Sequence, residues 1–511
     1  MAIGNALSVG LIGLRAFTID IQAFVSPGLP YFSLIGLPDA SLSEARERVR
    51  SACQSTGFSW PQTRVTVNLS PASLPKRGSA HDLAIAASIL GSCGEIDRAR
   101  VSRTIVLGEV NLDGTILPIA GLLPMLLHAR AQDVDRVVIP RGNEPEAHLV
   151  PDLETVCVEH ISELIDLMGG TARRHPRPSP TGSSLATPGD VPAHPTSIGD
   201  MSDVIGQNHA KRALLVAAAG GHHLLMTGPP GAGKTMLASR LPTIMAPLDE
   251  RQRLEVASIR SICGTLHHYG VSDIPPFEAP HHTSSTASLI GGGSGTAGPG
   301  AVTRAHHGVL FMDEAPEFSP RAIQSLREPL ESGSVTLSRA KSSTRYPARF
   351  QLIMSSNPCP CGYDYGNGER CVCRERERLR YFGRLSGPIL DRIDIQIDVA
   401  PASRLTAEDE PHRMTSALMR DKVIAARQAA QRRYADHGWI CNAQASGGWL
   451  RENTPARSRR PLDDAVRKQT LSLRGADRAM RVAWTIADLE ERNAPSDQDI
   501  LQGLMLRTRT R

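Results

Sequence analysis

Eight consecutive residues, Gly228-Pro229-Pro230-Gly231-Ala232-Gly233-Lys234-Thr235, carry the groups needed to hold a chain of phosphates. The glycines let backbone N–H groups turn inward, and the helix that begins there aims its positive end at the anion. Lys234 can reach the β- and γ-phosphates, and Thr235 can place its hydroxyl on Mg²⁺. A chance glycine turn is the plainer reading, but an apolar strand-like run, Leu224 to Met226, precedes the loop and a helical run follows it.

Two carboxylates lie downstream. Val309 to Met312 reads as a strand that ends in Asp313-Glu314. Asp313 can hold Mg²⁺ through water, and Glu314 can polarise an attacking water. The alternative is an acidic strand end with no role. A third strand-like run, "FQLIMSSNP", ends in Asn357, whose amide can orient the same water. Without that context, an Asn after a strand is a turn residue. Arg392 stands between Asp391 and Asp394. It reads either as part of a surface ion pair or as an arginine finger that stabilises phosphoryl transfer across a subunit boundary.

Four of the nine cysteines fall in one polar loop, Cys359, Cys361, Cys371 and Cys373, in the pattern C-x-C-x₉-C-x-C. Four thiolates suit tetrahedral Zn²⁺, and the turn-rich "GYDYGNGER" between the pairs can fold one onto the other. Such an ion would be structural, because four protein ligands leave no open position. Reduced thiols without a metal are a second reading, and disulfides are a third, which a reducing compartment disfavours. The remaining five cysteines are scattered and read as small core residues.

These residues must be positioned by more than one folded body, since 511 residues is long for one domain. The formal net charge of +5 permits a nucleic-acid partner without requiring one. No apolar run approaches the roughly 20 residues that span a bilayer, and the N-terminal stretch lacks a basic leader. A cytoplasmic protein with reduced thiols is expected. Residues 171–199 are rich in proline and lack an apolar period, which reads as a linker. The stretch before it, 1–170, alternates β-rich and helical runs. The pattern returns over 200–402 with wider spacing, and 403–511 reads as helical and charged.

Together the motifs resemble the magnesium-chelatase-like AAA+ ATPases of the ComM/YifB family. The blocks "VNLSPASLPKRGSAHDLAIA", "GPPGAGKTMLASRLP", "APHHTSSTASLIGGG", "GVLFMDEAPEF", "SNPCPCG", "SGPILDRIDI" and "RVAWTIADL" stand in family order over nearly the whole chain. The resemblance implies an α/β fold: a Lon-protease-like N-terminal domain, a P-loop domain with a parallel sheet, and a helical C-terminal lid. It makes the eight-residue loop Walker A, Asp313 and Glu314 Walker B, Asn357 sensor 1, Arg392 the arginine finger and Arg474 sensor 2. It implies ATP and Mg²⁺, a homohexameric ring, and a motor that unwinds or branch-migrates single-stranded or branched DNA. The glycine-rich stretch inside "APHHTSSTASLIGGGSGTAGPG" becomes an insert facing the ring's pore rather than a flexible loop.

In Lon-type proteases a serine and a lysine form the catalytic pair. Here Ala80 aligns with the serine and Leu123 with the lysine, and Ser79 is one position off. A serine without an activating base is a poor nucleophile, so a binding or assembly domain is expected. The segment "EPLESGSVTLSRAKSSTRYPARFQLIMSSNP" also resembles MCM replicative helicases. Its two β-rich runs read as a hairpin with Arg339 and Lys341 near the tip. Solubilising charges are the plain reading there, and a DNA grip inside the pore is what the resemblance implies. Two other functions compete: an ATPase driving metal insertion into a porphyrin, and a protein-remodelling ATPase. The second lacks the aromatic-hydrophobic pore loop common in unfoldases.

Overall fold

The computed structural model describes residues 3–36, 40–74, 76, 78–174, 199–292, 298–339, 342–366, 368–385, 387–401 and 414–507. Most of the proline-rich segment, 175–198, lies outside them. The chain forms two compact units, one of Met1–Val191 with Ala257–Val271 and one of Pro192–Val256 with Ser272–Arg511.

The first unit is built on a seven-stranded mixed sheet. Its elements are β1 (Gly4–Ile12), β2 (Arg15–Ser26), β3 (Tyr31–Ile35), α1 (Ala40–Ser55), β4 (Arg64–Ser70), α2 (Asp82–Cys93), β5 (Thr104–Val106), α3 (Leu122–Ala129), β6 (Arg136–Pro140) and β7 (Thr155–Val158). The strand order is β3-β4-β2-β1-β5-β6-β7. β2 pairs antiparallel with β1 and β4, and the other neighbours are parallel. In β4, Val65, Val67 and Leu69 are buried while their neighbours are not, the period of two expected of a strand with one covered face. Helix α2 is apolar on nearly every side and buried almost throughout, as a helix at the centre of a core must be. Gly94, at φ +79°, ends it in the left-handed conformation that glycine adopts without a Cβ penalty.

The linear division keeps Ala257–Val271 with the P-loop domain, whereas the fold groups it with the first unit. Ala257 and Leu266 are buried among Leu122, Leu123 and Leu126. Ser261 donates to the buried carboxylate of Glu146, which also accepts from the backbone of Leu123 at 2.9 Å.

The second unit holds a five-stranded sheet, entirely parallel. Its core elements are α4 (Asn208–Gly220), β8 (Leu224–Thr227), α5 (Lys234–Ser239), β9 (Phe277–Glu278), β10 (Val309–Met312), β11 (Ser334–Arg339), β12 (Ser342–Pro347), β13 (Gln351–Ser356), α6 (Glu375–Gly383) and β14 (Ile395–Asp398). The sheet order is β9-β10-β13-β8-β14. Both faces are covered, which is why β8, β10 and β13 are buried at every residue rather than alternately. Successive residues still part to opposite faces. Leu224, Met226, Val309, Phe311 and Ile353 enter one core, and Leu225, Leu310, Met312, Leu352 and Met354 enter the other.

β11 and β12 pair outside this sheet as an antiparallel hairpin, with Arg339 opposite Ser342 at its end. Five helices close the unit: α7 (Ser416–Arg433), α8 (Gly447–Asn453), α9 (Ala456–Arg467), α10 (Leu473–Leu489) and α11 (Asp497–Met505). Their own core gathers Tyr434, Leu450, Met480, Trp484 and Ile500. The segment "APHHTSSTASLIGGG" forms a short helix, Thr286–Ile290, and Gly291–Gly292 then pairs with Gly298–Pro299. Among the described residues no helix is long and apolar enough to cross a membrane.

Candidate nucleotide site and cysteine cluster

In parallel α/β sheets ligands bind at the carboxyl ends of the strands, where the strand order reverses. Here β8 lies between β13 and β14, so the loop after β8 opens at that position. Gly231 and Gly233 take φ of +77° and +84°. A Cβ at either would meet no atom within 4 Å, so backbone conformation rather than crowding demands glycine there. Gly228 is different, because a Cβ there would lie 2.3 Å from the carbonyl oxygen of Val399.

Lys234 is mostly buried, and its ammonium donates to the carbonyls of Gly228 (2.6 Å) and Pro229 (3.0 Å) and to Asn357 Oδ1 (3.3 Å). Burial lowers its pKa, and Asp313 and Glu314 oppose that shift. Thr235 Oγ1 donates to Asp313 Oδ2 at 2.7 Å. The other Asp313 oxygen accepts from the Ser355 hydroxyl and, at 3.0 Å, from the Glu314 backbone. Glu314 sits at φ +50°, an uncommon conformation for a residue with a side chain. His282 Nδ1 lies 3.6 Å from its carboxylate. The fold therefore brings together the eight-residue loop, Asp313, Glu314 and Asn357. A hydroxyl and a carboxylate facing one point, with an ammonium beside them, is a donor set that fits Mg²⁺ and a polyphosphate.

Arg392 and Arg474 are not part of this group. Arg392 precedes β14, and Ile395 pairs with Leu224 at the start of β8. With about 3.3 Å of rise per residue, four residues of β8 put about 13 Å between that edge and the phosphate loop. The Arg392 guanidinium meets Glu331 and the carbonyl of Pro388. Burial lowers its pKa, and the nearby cations Arg327, Arg478 and Arg474 act in the same direction. Arg474 is exposed, one helical turn before Arg478. Of the two hairpin residues, Arg339 ends a described strand and Lys341 lies outside the described residues.

The four loop cysteines converge. Their sulfurs all lie within 4.8 Å of one another, with separations of 3.3 Å (Cys359–Cys361), 3.7 Å (Cys359–Cys371) and 3.8 Å (Cys361–Cys371). Four sulfurs about 2.3 Å from a tetrahedral Zn²⁺ stand about 3.8 Å apart, so the set fits that ion. Burial pushes the Cys361 thiol up, but backbone donors at Tyr363 and Val372 bring it down to about 6. All nine cysteines are free of disulfides. Glu255, His306 and His307 also converge, but His306 Nδ1 accepts the Arg349 N–H at 3.0 Å. That leaves its proton on Nε2, aimed at Glu255, so this group is a hydrogen-bonded cluster rather than a ligand set.

Sequence reasoning missed Ser355, His282 and Arg478. Ser355 could have been read from its place in a strand beside Asp313, but only the fold brings His282 to Glu314. In the first unit the Ser79 hydroxyl bonds to Glu109, Leu123 is buried in a helix, and Lys76 donates to the carbonyls of Gly36 and Pro71.

Comparison with known proteins agrees with the fold. Residues 200–407 match the family described as magnesium chelatase, subunit ChlI. Residues 21–143 match subunit ChlI of Mg-chelatase, and 413–507 match the ChlI C-terminal family. An uncharacterized protein of Mycobacterium tuberculosis is 43% identical over 99% of both chains. Competence protein ComM of Haemophilus influenzae is 36% identical over 96% of this chain and 94% of its own. The uncharacterized protein YifB of Escherichia coli is 34% identical over 97% and 95%. A shorter stretch, 28% of this chain, is 27% identical to a Lon protease of Roseiflexus castenholzii. The chain belongs to the magnesium-chelatase-like AAA+ ATPases of the ComM/YifB family.

The cysteine loop leans on the phosphate loop. A Cβ at Gly362 would come 2.6 Å from Pro230 Cδ, and Gly362 has φ +83°. Gly362→Ala should therefore weaken nucleotide binding by about tenfold or more, beyond the stability cost of about 1 kcal/mol that alanine carries at this φ. Titration with a fluorescent ATP analogue checks this, and parental affinity would show that the two loops are mechanically independent.

Proposed function

We propose that this chain is an ATP-driven motor on DNA, assembled as a cytoplasmic homohexameric ring, with helicase or branch-migration activity on recombination intermediates. The observation that carries the reading is the division of charged groups between two ends of one sheet. Lys234, Thr235, Asp313, Glu314 and Asn357 share the carboxyl end. Arg392 and Arg474 stand at the amino end, too far to serve the same phosphates. A second copy placed head to tail supplies them, and repetition of that contact closes a ring.

Bound MgATP supplies the scissile phosphoanhydride and a cation to screen its charge. Gly228 to Gly233 offer backbone donors, and Lys234 exchanges its carbonyl partners for phosphate oxygens. Thr235 and Asp313 hold the metal. Glu314 takes the proton of the attacking water, which Asn357 orients. Arg392 gives up Glu331 for the neighbour's γ-phosphate, one anionic partner for another. Cys359, Cys361, Cys371 and Cys373 hold a structural Zn²⁺ that stiffens the loop against Pro230. Arg339 and Lys341 grip DNA phosphates, contacts that carry no sequence information and weaken with salt. The family descriptions favour a second reading, an ATPase for metal insertion, in which porphyrin-binding partners rather than DNA would stimulate hydrolysis.

Lys234→Ala should weaken ATP binding, while Glu314→Gln should bind ATP and hydrolyse it ~10²- to 10⁴-fold more slowly. Arg392→Ala should lose up to ~10³-fold, and mixing it with Lys234→Ala protein should restore part of the rate. Parental hydrolysis by Glu314→Gln would overturn its role as base.

Elemental analysis should find about one Zn per chain, lost on replacing Cys361 and Cys371 by serine. A metal-free protein with full ATPase would remove the zinc from this scheme.

Arg339→Ala with Lys341→Ala should abolish DNA-stimulated hydrolysis and unwinding of forked DNA, and flatten the salt dependence of DNA binding. Unchanged unwinding by that pair would favour another motor surface. Stimulation by porphyrin subunits and not by forked DNA would favour the chelatase reading.

A further inference from the structure

The arginines at the amino end of the sheet stand on a buried network that the phosphate chemistry does not use. Arg392 is followed by Ile393 and Asp394 before β14 begins. Asp394 is 2% exposed, and both its oxygens are engaged. One meets Arg478 Nη1, and the other lies 3.0 Å from His222 Nδ1. Burial would raise its pKa, but His222 and Arg478 hold the carboxyl far below the usual range. Removing one partner of such a buried pair strands the other charge.

The same Arg478 Nη1 donates to the main-chain carbonyl of Arg392 at 3.0 Å. Arg507 donates to the carbonyl of Ile393 at 3.0 Å, and the Asp394 N–H reaches the carbonyl of His223 at 3.1 Å. Three consecutive residues are thus held through their main chain or their carboxylate. The Arg392 guanidinium reaches Glu331 and the Pro388 carbonyl, while its Nε is buried with no hydrogen-bond partner among the described residues. Where that guanidinium stands therefore depends both on these contacts and on where its backbone is fixed.

Arg478 sits in α10, one turn after Arg474. Two turns further along that helix, Thr485 Oγ1 lies 2.7 Å from His222 Nε2. His222 thus joins α10 to Asp394 from the other side. The cations of Arg327, Arg474 and Arg478 act against that of Arg392, and Asp394 offsets the charge of Arg478.

We propose that Arg478 is a positioning residue for the intersubunit arginines. Through Asp394 and the Arg392 carbonyl it locks the Arg392 backbone to the helix carrying Arg474, so a neighbouring subunit meets both arginines as one rigid unit. This rests on the reading of Arg392 as acting between subunits.

The test compares Arg478→Gln, Arg478→Lys, Arg392→Ala and the double variant Arg392→Ala/Arg478→Gln in the full chain. Arg478→Gln should lower the ATPase kcat by at least tenfold, and adding it to Arg392→Ala should cost little more than Arg392→Ala alone. Affinity for a fluorescent ATP analogue should stay within about twofold of the parent, because the phosphate loop lies at the other end of the sheet. Arg478→Lys should recover part of the rate, since an ammonium can still reach the carboxylate. If Arg478→Gln does not fold, the Lys variant carries the test: kcat between the parent's and that of Arg392→Ala, with unchanged nucleotide affinity, supports the proposal. Parental kcat in both Arg478 variants overturns it, and so does a loss that multiplies with that of Arg392→Ala or a parallel loss of nucleotide affinity. Parental hydrolysis by Arg392→Ala instead removes the intersubunit reading and this inference with it.

Discussion

Strand β8 is hydrogen-bonded on both sides, by β13 and by β14, and its side chains are buried on both faces. A strand so enclosed cannot slip by one residue without moving every side chain to the opposite core. The two ends of the chemistry therefore have fixed places. Thr227, opposite Ser356 and Asp398, releases the phosphate loop beside Asn357. Leu224, opposite Ile395, sets the level at which the Asp394 network and Arg392 must lie. Four residues of one strand thus separate Lys234, Asp313 and Asn357 from Arg392 and the Asp394 network.

Each end is organised by one carboxylate. Asp313 accepts from Thr235, Ser355 and the Glu314 backbone, so its oxygens are oriented by donors from three segments. Asp394 accepts from Arg478 and lies beside His222. The difference is exposure. Asp394 is sealed in the protein and acts as a strut, whereas Asp313 keeps an accessible edge where a cation can join its partners. A preoriented carboxylate needs no rearrangement at the moment of reaction, which is the physical basis of electrostatic catalysis.

The cysteine loop adds a third constraint. It leaves the sheet directly after Asn357 and returns its second pair of sulfurs to the first, with Gly362 pressed toward Pro230. Closing such a loop through a metal, as proposed, would remove freedom that a run of turns would otherwise keep. The loop would then have the stiffness to act on the phosphate loop rather than yield to it.

Much of this was legible in the residues themselves. The Gly228–Thr235 loop, the apolar strands ending in Asp313 and near Asn357, and the hairpin are local features, governed by backbone rules that act over a few residues. The cysteine spacing likewise announced a loop that could fold back on itself. Other features depend on contacts between distant segments. A polar-looking stretch, Ala257–Val271, joins the first unit because Ala257 and Leu266 complete an apolar core formed more than 100 residues earlier. Arg474 stands apart from Lys234, and Arg478 meets Arg392 across 86 positions of chain. The sequence by itself determined which chemistry the chain can perform, because that depends on residue type and short spacing. Only the tertiary structure decided which groups share an end of the sheet, because that depends on strand order, which no local pattern encodes.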